Sequence, residues 1–218
     1  MSKSFFEINN VTFAIGGKNK VNDVNISIEN EGDIICILGP SGIGKTTMLR
    51  TIAGLEKINQ GEIILKDKVI SSNKIHVQPE KRNIALSFQE NSLFPHYSVD
   101  RNIHLGIKKN STDNKNINSN EIIKILNLES VLDKYPHQIS AGESQRASLA
   151  RSLISQPDLL LLDEPLSNVD QSFKEDIQVA LKQILKKNKI STIVVTHDSY
   201  EAFYLGSKCA IILDNEVK

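Results

Sequence analysis

A glycine-rich segment near the start of the chain limits its possible folds more than any other feature. Residues 39–47 read Gly-Pro-Ser-Gly-Ile-Gly-Lys-Thr-Thr, which fits the phosphate-loop pattern G-x-x-x-x-G-K-[ST]. A short apolar run at 34–38 precedes this segment, and a helix-like segment ending at Gly54 follows it. The sequence therefore predicts a strand at 34–38, a phosphate-binding loop, and a helix over 46–53.

The residue types of this loop suit a bound phosphate. Glycines let backbone N–H groups converge on an anion, and the following helix adds unpaired N–H groups and the positive end of its dipole. Lys45 supplies a cation for the terminal phosphates, and the Thr46 hydroxyl is an oxygen ligand suited to Mg²⁺. We expect the nucleotide-binding residues here to be Gly39, Pro40, Ser41, Gly42, Ile43, Gly44, Lys45, Thr46 and Thr47.

Charge and hydropathy restrict the classes of function. Lys+Arg and Asp+Glu number 26 each, so charge gives no case for nucleic-acid binding. No apolar run approaches the roughly 20 residues that span a bilayer, and the N-terminus has no apolar signal core. A membrane role would therefore depend on a partner. Cys36 and Cys209 lie in apolar, strand-like runs, so we expect buried free thiols in a cytosolic chain.

The rest of the chain alternates strand and helix patterns, which predicts a parallel α/β core. We expect antiparallel strands over 5–30, a hairpin over 61–70 that turns at Asp67-Lys68, strands at 84–89, 159–162, 190–196 and 209–213, and a mainly helical region over 98–156. Within that region a polar stretch at 110–120 predicts a mobile loop, and a helix resumes at 122–128. Helices are also expected at 199–206 and at 171–187, the latter with Phe173, Ile177, Ala180, Leu181, Ile184 and Leu185 on one face.

A second group of polar residues follows the predicted strands. Asp163 ends the buried leucine strand and is expected to hold Mg²⁺, while Glu164 is the candidate base that activates water. His197 ends the next strand, where it can reach the terminal phosphate, and Gln89 offers an amide oxygen to the metal or the water. Taken alone, the two acids also fit a solvated strand end, His197 a structural histidine, and Gln89 a polar strand terminus.

The stretch from Ser140 to Arg146 opens a helix and supports two interpretations. Serine at the cap with Glu143 three residues later forms a capping box, which is a structural role. A helix N-terminus that carries a serine hydroxyl and a glycine is also a second phosphate-binding surface. Such a surface would be useful if it faced the nucleotide of another copy.

The order and spacing of these motifs resemble the ATP-binding cassette ATPases of ABC transporters over nearly the whole chain. The resemblance implies one cassette domain over 1–218, with a P-loop core, a mostly parallel sheet, an antiparallel β subdomain and an α-helical subdomain at about 90–157. It implies ATP and Mg²⁺ as cofactors and a head-to-tail dimer, either of two copies of this chain or of this chain with a second cassette. In that dimer Ser140, Gly142 and Glu143 would face the partner's ATP, and Asp170 would pair across the interface.

The resemblance also implies integral-membrane permease subunits, docked on the helical subdomain and coupled to the reaction site by Gln89. A solute-binding protein would act indirectly, and the chain would lie at the cytoplasmic face of the membrane. The text at 87–96 is similar to importer ATPases for thiamine, iron, polyamine or molybdate, with a weak preference for thiamine from the run at 88–91. The absence of a C-terminal regulatory domain is a further expectation.

Two departures from the family pattern support an alternative function. The family's signature motif reads Ile139-Ser140-Ala141-Gly142 in this chain, and Ala141 stands where that motif usually has glycine. Ile15 stands where an aromatic residue usually stacks on adenine. These changes fit a nucleotide-binding regulatory subunit with little turnover, whereas the retained acids and histidine favour an ATP hydrolase. A DNA-repair or ribosome-associated cassette lacks support, because the chain has neither long heptads nor a second cassette.

Overall fold

Two β-sheets organise the structure, which is a computed structural model that describes residues 4–15, 19–88, 93–105, 107, 117–169, 171–213 and 216–217. The strands are β1 (Phe6–Ile15), β2 (Asn19–Ile28), β3 (Ile34–Leu38), β4 (Glu62–Leu65), β5 (Lys68–Ser72), β6 (Ile84–Ser87), β7 (Leu159–Asp163), β8 (Ser191–Thr196), β9 (Lys208–Leu213) and β10 (Glu216–Val217). The helices are α1 (Lys45–Ala53), α2 (Val99–His104), α3 (Ser119–Ile125), α4 (Ala141–Ile154), α5 (Gln171–Lys187) and α6 (Ser199–Leu205).

The larger sheet has the strand order β10-β9-β3-β8-β7-β6, and all its pairings are parallel except the one between β10 and β9. The smaller sheet is antiparallel, with the order β2-β1-β4-β5. Helices α2, α3 and α4 lie in the chain between β6 and β7. The predicted P-loop core with a mostly parallel sheet, an antiparallel sheet and a helical part is confirmed.

The central strands are buried on both faces, and alternate residues enter two separate hydrophobic cores. In β7, Leu160 and Leu162 pack with the apolar residues of α2 to α6, while Leu159 and Leu161 face α1 and the antiparallel sheet. Continuous apolar runs are typical of parallel strands covered on both sides. This burial holds the strand ends rigidly, and those ends carry the polar residues of the site.

The hairpin prediction is wrong by one residue. The turn consists of Lys66 and Asp67, with φ of 49° and 62°, and Leu65 pairs directly with Lys68. A type I′ hairpin turn has positive φ at both central positions, where Asn-Gly, Asp-Gly and Gly-Gly pairs are preferred. The expectation of a turn at Asp67-Lys68 failed because no glycine marks the turn and a lysine, Lys66, occupies its first central position.

Three further expectations need correction. Phe173 is 47% exposed, because α5 is covered only from Ile177 onward, and spacing does not reveal where coverage begins. Cys36 is buried, but Cys209 is exposed on β9, near the end of its sheet. The polar stretch at 110–120 lies partly outside the described residues. Its last two residues already belong to α3, because the Asn118 side chain caps that helix by accepting a hydrogen bond from the Asn120 N–H at 3.0 Å.

The predicted helix at 122–128 begins earlier and ends earlier than expected. Helix α3 stops at Ile125, and a short 3-10 turn at Glu129–Val131 follows. Leu126 and Leu128 are nevertheless buried with the helical core, which explains their apolar character. Apolar spacing therefore located the buried residues correctly and misplaced the end of the helix.

Candidate functional site

The carboxyl ends of neighbouring parallel strands bring the predicted site residues together. The register pairs Leu38 of β3 with Thr196 of β8, and Asp163 of β7 with Val195 of β8. The loop at 39–47 follows β3, Glu164 follows β7, and His197 follows β8. In open parallel sheets ligands bind outside the carboxyl ends of the strands, so this edge is the expected position of a reaction site.

The loop at 39–47 has the backbone conformation that a phosphate cradle requires. Gly42 and Gly44 have φ of 82° and 106°, which a side chain would make unfavourable, and Gly44 is the N-cap of α1. The Lys45 ammonium donates hydrogen bonds to the backbone oxygens of Gly39 at 2.7 Å and Pro40 at 3.0 Å. The lysine thus folds back along the loop and lies within it at 5% exposure.

The electrostatics around Lys45 favour a phosphate. Burial lowers the pKa of Lys45, while the nearby Glu164 and Asp163 carboxylates act in the opposite direction. The ammonium is therefore only partly solvated, and its hydrogen bonds run to neutral carbonyl groups. Because those bonds are weaker than bonds to an anion, Lys45 can exchange them for phosphate oxygens.

Thr46 and Asp163 form one pair of oxygen ligands. The Thr46 hydroxyl donates to Asp163 Oδ2 at 2.7 Å, although the two residues are 117 positions apart in the chain. Asp163 is 4% exposed, and burial raises the pKa of its carboxyl group, while the bond from Thr46 opposes that rise. A hydroxyl and a carboxylate in contact suit Mg²⁺, which prefers oxygen ligands, so the residues present fit this ion.

Glu164 and His197 form the second pair. Nδ1 of His197 lies 3.1 Å from Oε1 of Glu164, whose side chain is 12% exposed. Glu164 has a φ of 47°, and its N–H donates to the Val195 oxygen at 2.8 Å. Glutamate rarely adopts this backbone conformation, and such outliers concentrate at functional sites. The turn directs this carboxylate to the same edge as Asp163.

The structure builds the predicted capping box at the start of α4. The Ser140 hydroxyl accepts from the Glu143 N–H at 3.2 Å, and the Glu143 carboxylate accepts from the Ser140 N–H at 2.7 Å. That backbone bond is the main reason why the pKa of Glu143 is lowered. Glu143 is thus engaged in ordering Ser140, and the proton of the exposed Ser140 hydroxyl is not used by the cap.

The following position has no room for a side chain. A Cβ atom on Gly142 would lie 2.7 Å from the backbone oxygen of Asn168. Ala141, in contrast, is the exposed first residue of α4, in a helical conformation that suits alanine. The methyl group of Ala141 therefore introduces no strain within this chain.

Gln145 was not predicted from the sequence, and it joins α4 to the loop after β7. Its amide nitrogen donates to the Glu164 oxygen at 2.8 Å and to the Ser167 hydroxyl at 3.2 Å, and its amide oxygen accepts from the Asn168 N–H at 3.0 Å. The 140–146 stretch is thereby connected to the backbone of Glu164. Its position inside that stretch was the one sequence signal that pointed to it.

Two expected residues cannot be placed. Gln89 and Asp170 lie outside the described residues, and the side chain of Ile15 is likewise not described. The predicted contributions of Gln89 to the metal and the water, and of Asp170 to a dimer interface, therefore remain predictions. The phosphate loop, Asp163, Glu164 and His197 are brought together at one edge of the sheet, and the start of α4 reaches them through Gln145.

These features define a P-loop nucleoside triphosphatase fold with a helical insertion between β6 and β7. A family model described as ABC transporter matches residues 21–167. The chain belongs to the ABC transporter family.

Several relatives are similar along most of this chain. The Fe(3+) ions import ATP-binding protein FbpC of Fusobacterium nucleatum is 38% identical over 202 residues, which is 89% of this chain and 53% of that protein. The maltose/maltodextrin import ATP-binding protein MalK of Mannheimia succiniciproducens is 39% identical over 94% of this chain and 54% of that protein. The spermidine/putrescine import ATP-binding protein PotA of Chromobacterium violaceum is 39% identical, with 99% and 59% covered. The chain thus spans little more than half the length of these relatives.

A solved structure of similar length has the same fold. The dimeric, post-hydrolysis state of the ATP-binding cassette MJ0796, bound to ADP and Pi, superposes with a TM-score of 0.81 at 28% identity. The match covers 98% of this chain and 96% of that one. None of the helices in the described residues has the length and apolar character needed to cross a membrane.

Proposed function

We propose that this chain is the ATP-binding and ATP-hydrolysing subunit of an ABC importer. One observation carries the proposal: the Thr46–Asp163 pair and the Glu164–His197 pair lie beside the phosphate loop at one sheet edge. The first pair fits a metal ion and the second fits a base with its partner. The names and the similarity of the importer relatives support the same function.

Each residue has a separate role in this proposal. Lys45 and the loop N–H groups bind the β- and γ-phosphates, and Thr46 with Asp163 would hold Mg²⁺. Bound Mg²⁺ would neutralise charge on the phosphates. Glu164 orients the attacking water and accepts its proton, and His197 contacts both Glu164 and the terminal phosphate. Gln89 is proposed to add an amide oxygen to the metal or the water.

We further propose that two cassettes share each site. Ser140 is exposed and Gly142 is half-buried at the start of α4, where the helix dipole favours an anion. They are proposed to contact the γ-phosphate held by the other copy, with Glu143 ordering Ser140. The dimeric state of the similar cassette MJ0796 supports this arrangement. ATP closes the dimer because it binds the closed state more tightly, and hydrolysis removes that preference.

A groove beside β6 is the proposed docking site for a permease. It has a volume of about 400 Å³, and its lining includes Phe88, Phe94, Leu105 and Arg151. Phe94 and Leu105 are 47% and 44% exposed, which leaves apolar surface available for a helical segment of a membrane subunit. Such docking would hold the chain at the cytoplasmic face of the membrane.

Import is proposed from the names of the relatives, which are import ATP-binding proteins for iron, maltose or polyamines. These differ too much to indicate one solute, and none of them supports thiamine, so no solute is proposed. A solute-binding protein would act indirectly, through the permease. Selectivity would lie in those other subunits.

Mg²⁺-dependent phosphate release from ATP by the purified chain tests the proposal. Lys45→Ala should abolish ATP binding or turnover, and Glu164→Gln should retain ATP while turnover falls by about 10²–10⁴-fold, because the general base is lost. Glu121→Gln and Lys187→Ala are matched controls, since these exposed residues form an ion pair on the surface between α3 and α5. Near-normal turnover by Glu164→Gln would remove Glu164 from the role of base.

The same assay decides the alternative of a regulatory subunit. Tight ATP binding by the wild-type chain without phosphate release would favour that alternative. Ala141 was one reason to consider it, because its methyl group would lie on the surface proposed to face the partner's ATP, and its helical position introduces no strain within one chain. The carboxylate and histidine pair at 3.1 Å favours hydrolysis.

A further inference from the structure

A buried carboxylate lies behind the reaction site and has no role in the mechanism above. Glu201 of α6 is 2% exposed, and its Oε2 accepts a hydrogen bond from the Thr196 hydroxyl at 2.6 Å. Its Oε1 has no hydrogen-bond partner among the described residues. Burial of a carboxyl group with one oxygen unsatisfied is unfavourable, and an apolar residue would pack there at lower cost. Burial accordingly raises the pKa of Glu201, and the bond from Thr196 opposes that rise.

The hydroxyl that contacts Glu201 also holds the backbone next to His197. Thr196 Oγ1 accepts from the Asp198 N–H at 3.0 Å. A hydroxyl has a single proton, so when the Thr196 hydroxyl donates that proton to Glu201, its oxygen lone pairs can accept the hydrogen bond from the Asp198 N–H. These hydrogen bonds involve Thr196 and Asp198, the residues directly before and after His197, and therefore fix the backbone on both sides of the histidine.

The side chain of Asp198 forms a second set of hydrogen bonds. Its Oδ1 accepts from the N–H groups of Tyr200 and Glu201 at 2.9 and 3.2 Å, and its Oδ2 accepts from Lys174 at 2.6 Å. The His197 side chain is 58% exposed, so packing does little to hold the ring. The direction of the ring toward Glu164 therefore depends on the backbone between Thr196 and Asp198.

We propose that Glu201 is a positioning residue that acts through the Thr196 hydroxyl to keep His197 within reach of Glu164. The inference rests on the proposed function, because His197 and Glu164 are there the groups that face the water and the terminal phosphate. Glu201 itself contacts neither. Its effect is geometric, and a small displacement of a reacting group can cost a large factor in rate.

Four variants test this role through kcat, KM, the affinity for a fluorescent ATP analogue, and the thermal midpoint. Glu201→Leu and Thr196→Val each remove one partner of the 2.6 Å bond, and each should lower kcat about tenfold or more. KM and nucleotide affinity should stay within about twofold of the wild type, since Lys45 and the loop are unaffected. Glu201→Gln retains an acceptor for Thr196 and should recover most of the lost kcat.

Thr192→Val is the matched control for Thr196→Val. Thr192 is buried in the same strand, β8, and among the described residues its hydroxyl bonds only to the nearby Ile190 oxygen, at 3.0 Å. It should retain the wild-type kcat. Should Glu201→Leu fail to fold, the comparison of Thr196→Val with Thr192→Val decides the question.

The dependence on His197 separates positioning from a general structural effect. In a His197→Ala background, measured in single turnover, Glu201→Leu should cause no further loss. Wild-type kcat in folded Glu201→Leu or Thr196→Val would overturn the positioning role, as would an undiminished loss in the His197→Ala background or a Glu201→Gln variant as slow as Glu201→Leu. A wild-type chain that releases no phosphate would instead overturn the proposed function.

Discussion

At the residue scale, Gly142 is important because it has no side chain. A Cβ atom there would meet the Asn168 backbone oxygen at 2.7 Å, and backbone cannot move aside as a flexible side chain can. The close approach lets α4 pack against the loop after β7, where Gln145 completes the joint with three hydrogen bonds. The signature motif and the loop that carries Glu164 are thereby fixed relative to each other.

We predict that Gly142→Ala lowers the free energy of unfolding by about 1–3 kcal/mol, because the added methyl group must displace backbone. Ala141→Gly is the matched control. It changes the neighbouring, exposed position of the same helix and should cost at most about 1 kcal/mol through helix propensity. Urea unfolding measures both. Equal stability of Gly142→Ala and the wild type would show that the contact with Asn168 relaxes without cost.

At the element scale, helices α5 and α6 meet at a polar joint beside His197. The Lys174 ammonium of α5 lies 2.6 Å from Asp198, the N-cap of α6. The hydrogen bond from Lys174 is the main reason why the pKa of Asp198 is lowered, and the N–H groups of Glu201 and Tyr200 act in the same direction. The Asp198 carboxylate thus caps the N-terminus of α6 and also connects α6 to α5 through Lys174.

The lowered pKa predicts how this joint depends on pH. Because the folded state holds the Asp198 proton less tightly than the unfolded state, the joint contributes stability above the ordinary pKa of 3.8 and loses it as the pH falls through the lower, folded value. Asp198→Asn retains the cap and removes the charge. The wild type should therefore exceed Asp198→Asn in stability at pH 5–7, and thermal unfolding should show that difference shrinking below about pH 4. A difference that stays constant down to pH 2 would contradict this assignment.

Sequence patterns located the elements that carry the site and missed the contacts that hold them. The glycine spacing at 39–47, the leucine run at 159–162 and the strand ending at Thr196 each depend on local rules, and the structure places them as expected. The Lys66-Asp67 turn was misplaced because residues other than glycine adopt positive φ there.

Long-range polar partners left no signal in the sequence. Arg82 is 2% exposed and donates to the backbone oxygens of Ile52 and Val77 at 2.8 and 2.7 Å, which ties β6 to the end of α1. In sequence it is one arginine before a strand. Glu201 likewise resembles an ordinary helical glutamate until the fold buries it against Thr196. Such contacts depend on which strands become neighbours, and local periodicity does not report that order.

At the scale of the whole molecule, the proposed function assigns two half-sites to each chain, and a second copy would complete them. The phosphate loop, the metal ligands and the base lie at the carboxyl edge of the parallel sheet, whereas Ser140 opens α4 with its hydroxyl exposed. A second copy related by a twofold axis would place each loop against the other's signature motif. A shared site of this kind requires that ATP joins two copies.

Sedimentation equilibrium of the Glu164→Gln variant tests this claim most directly. Without nucleotide the variant should have the mass of one chain, 24.3 kDa. With saturating ATP and Mg²⁺ it should have twice that mass, because bound ATP joins two copies and is not hydrolysed. Ser140→Arg in the same background should bind ATP and remain a single chain. If Glu164→Gln binds ATP and still sediments as one chain, the shared site is contradicted.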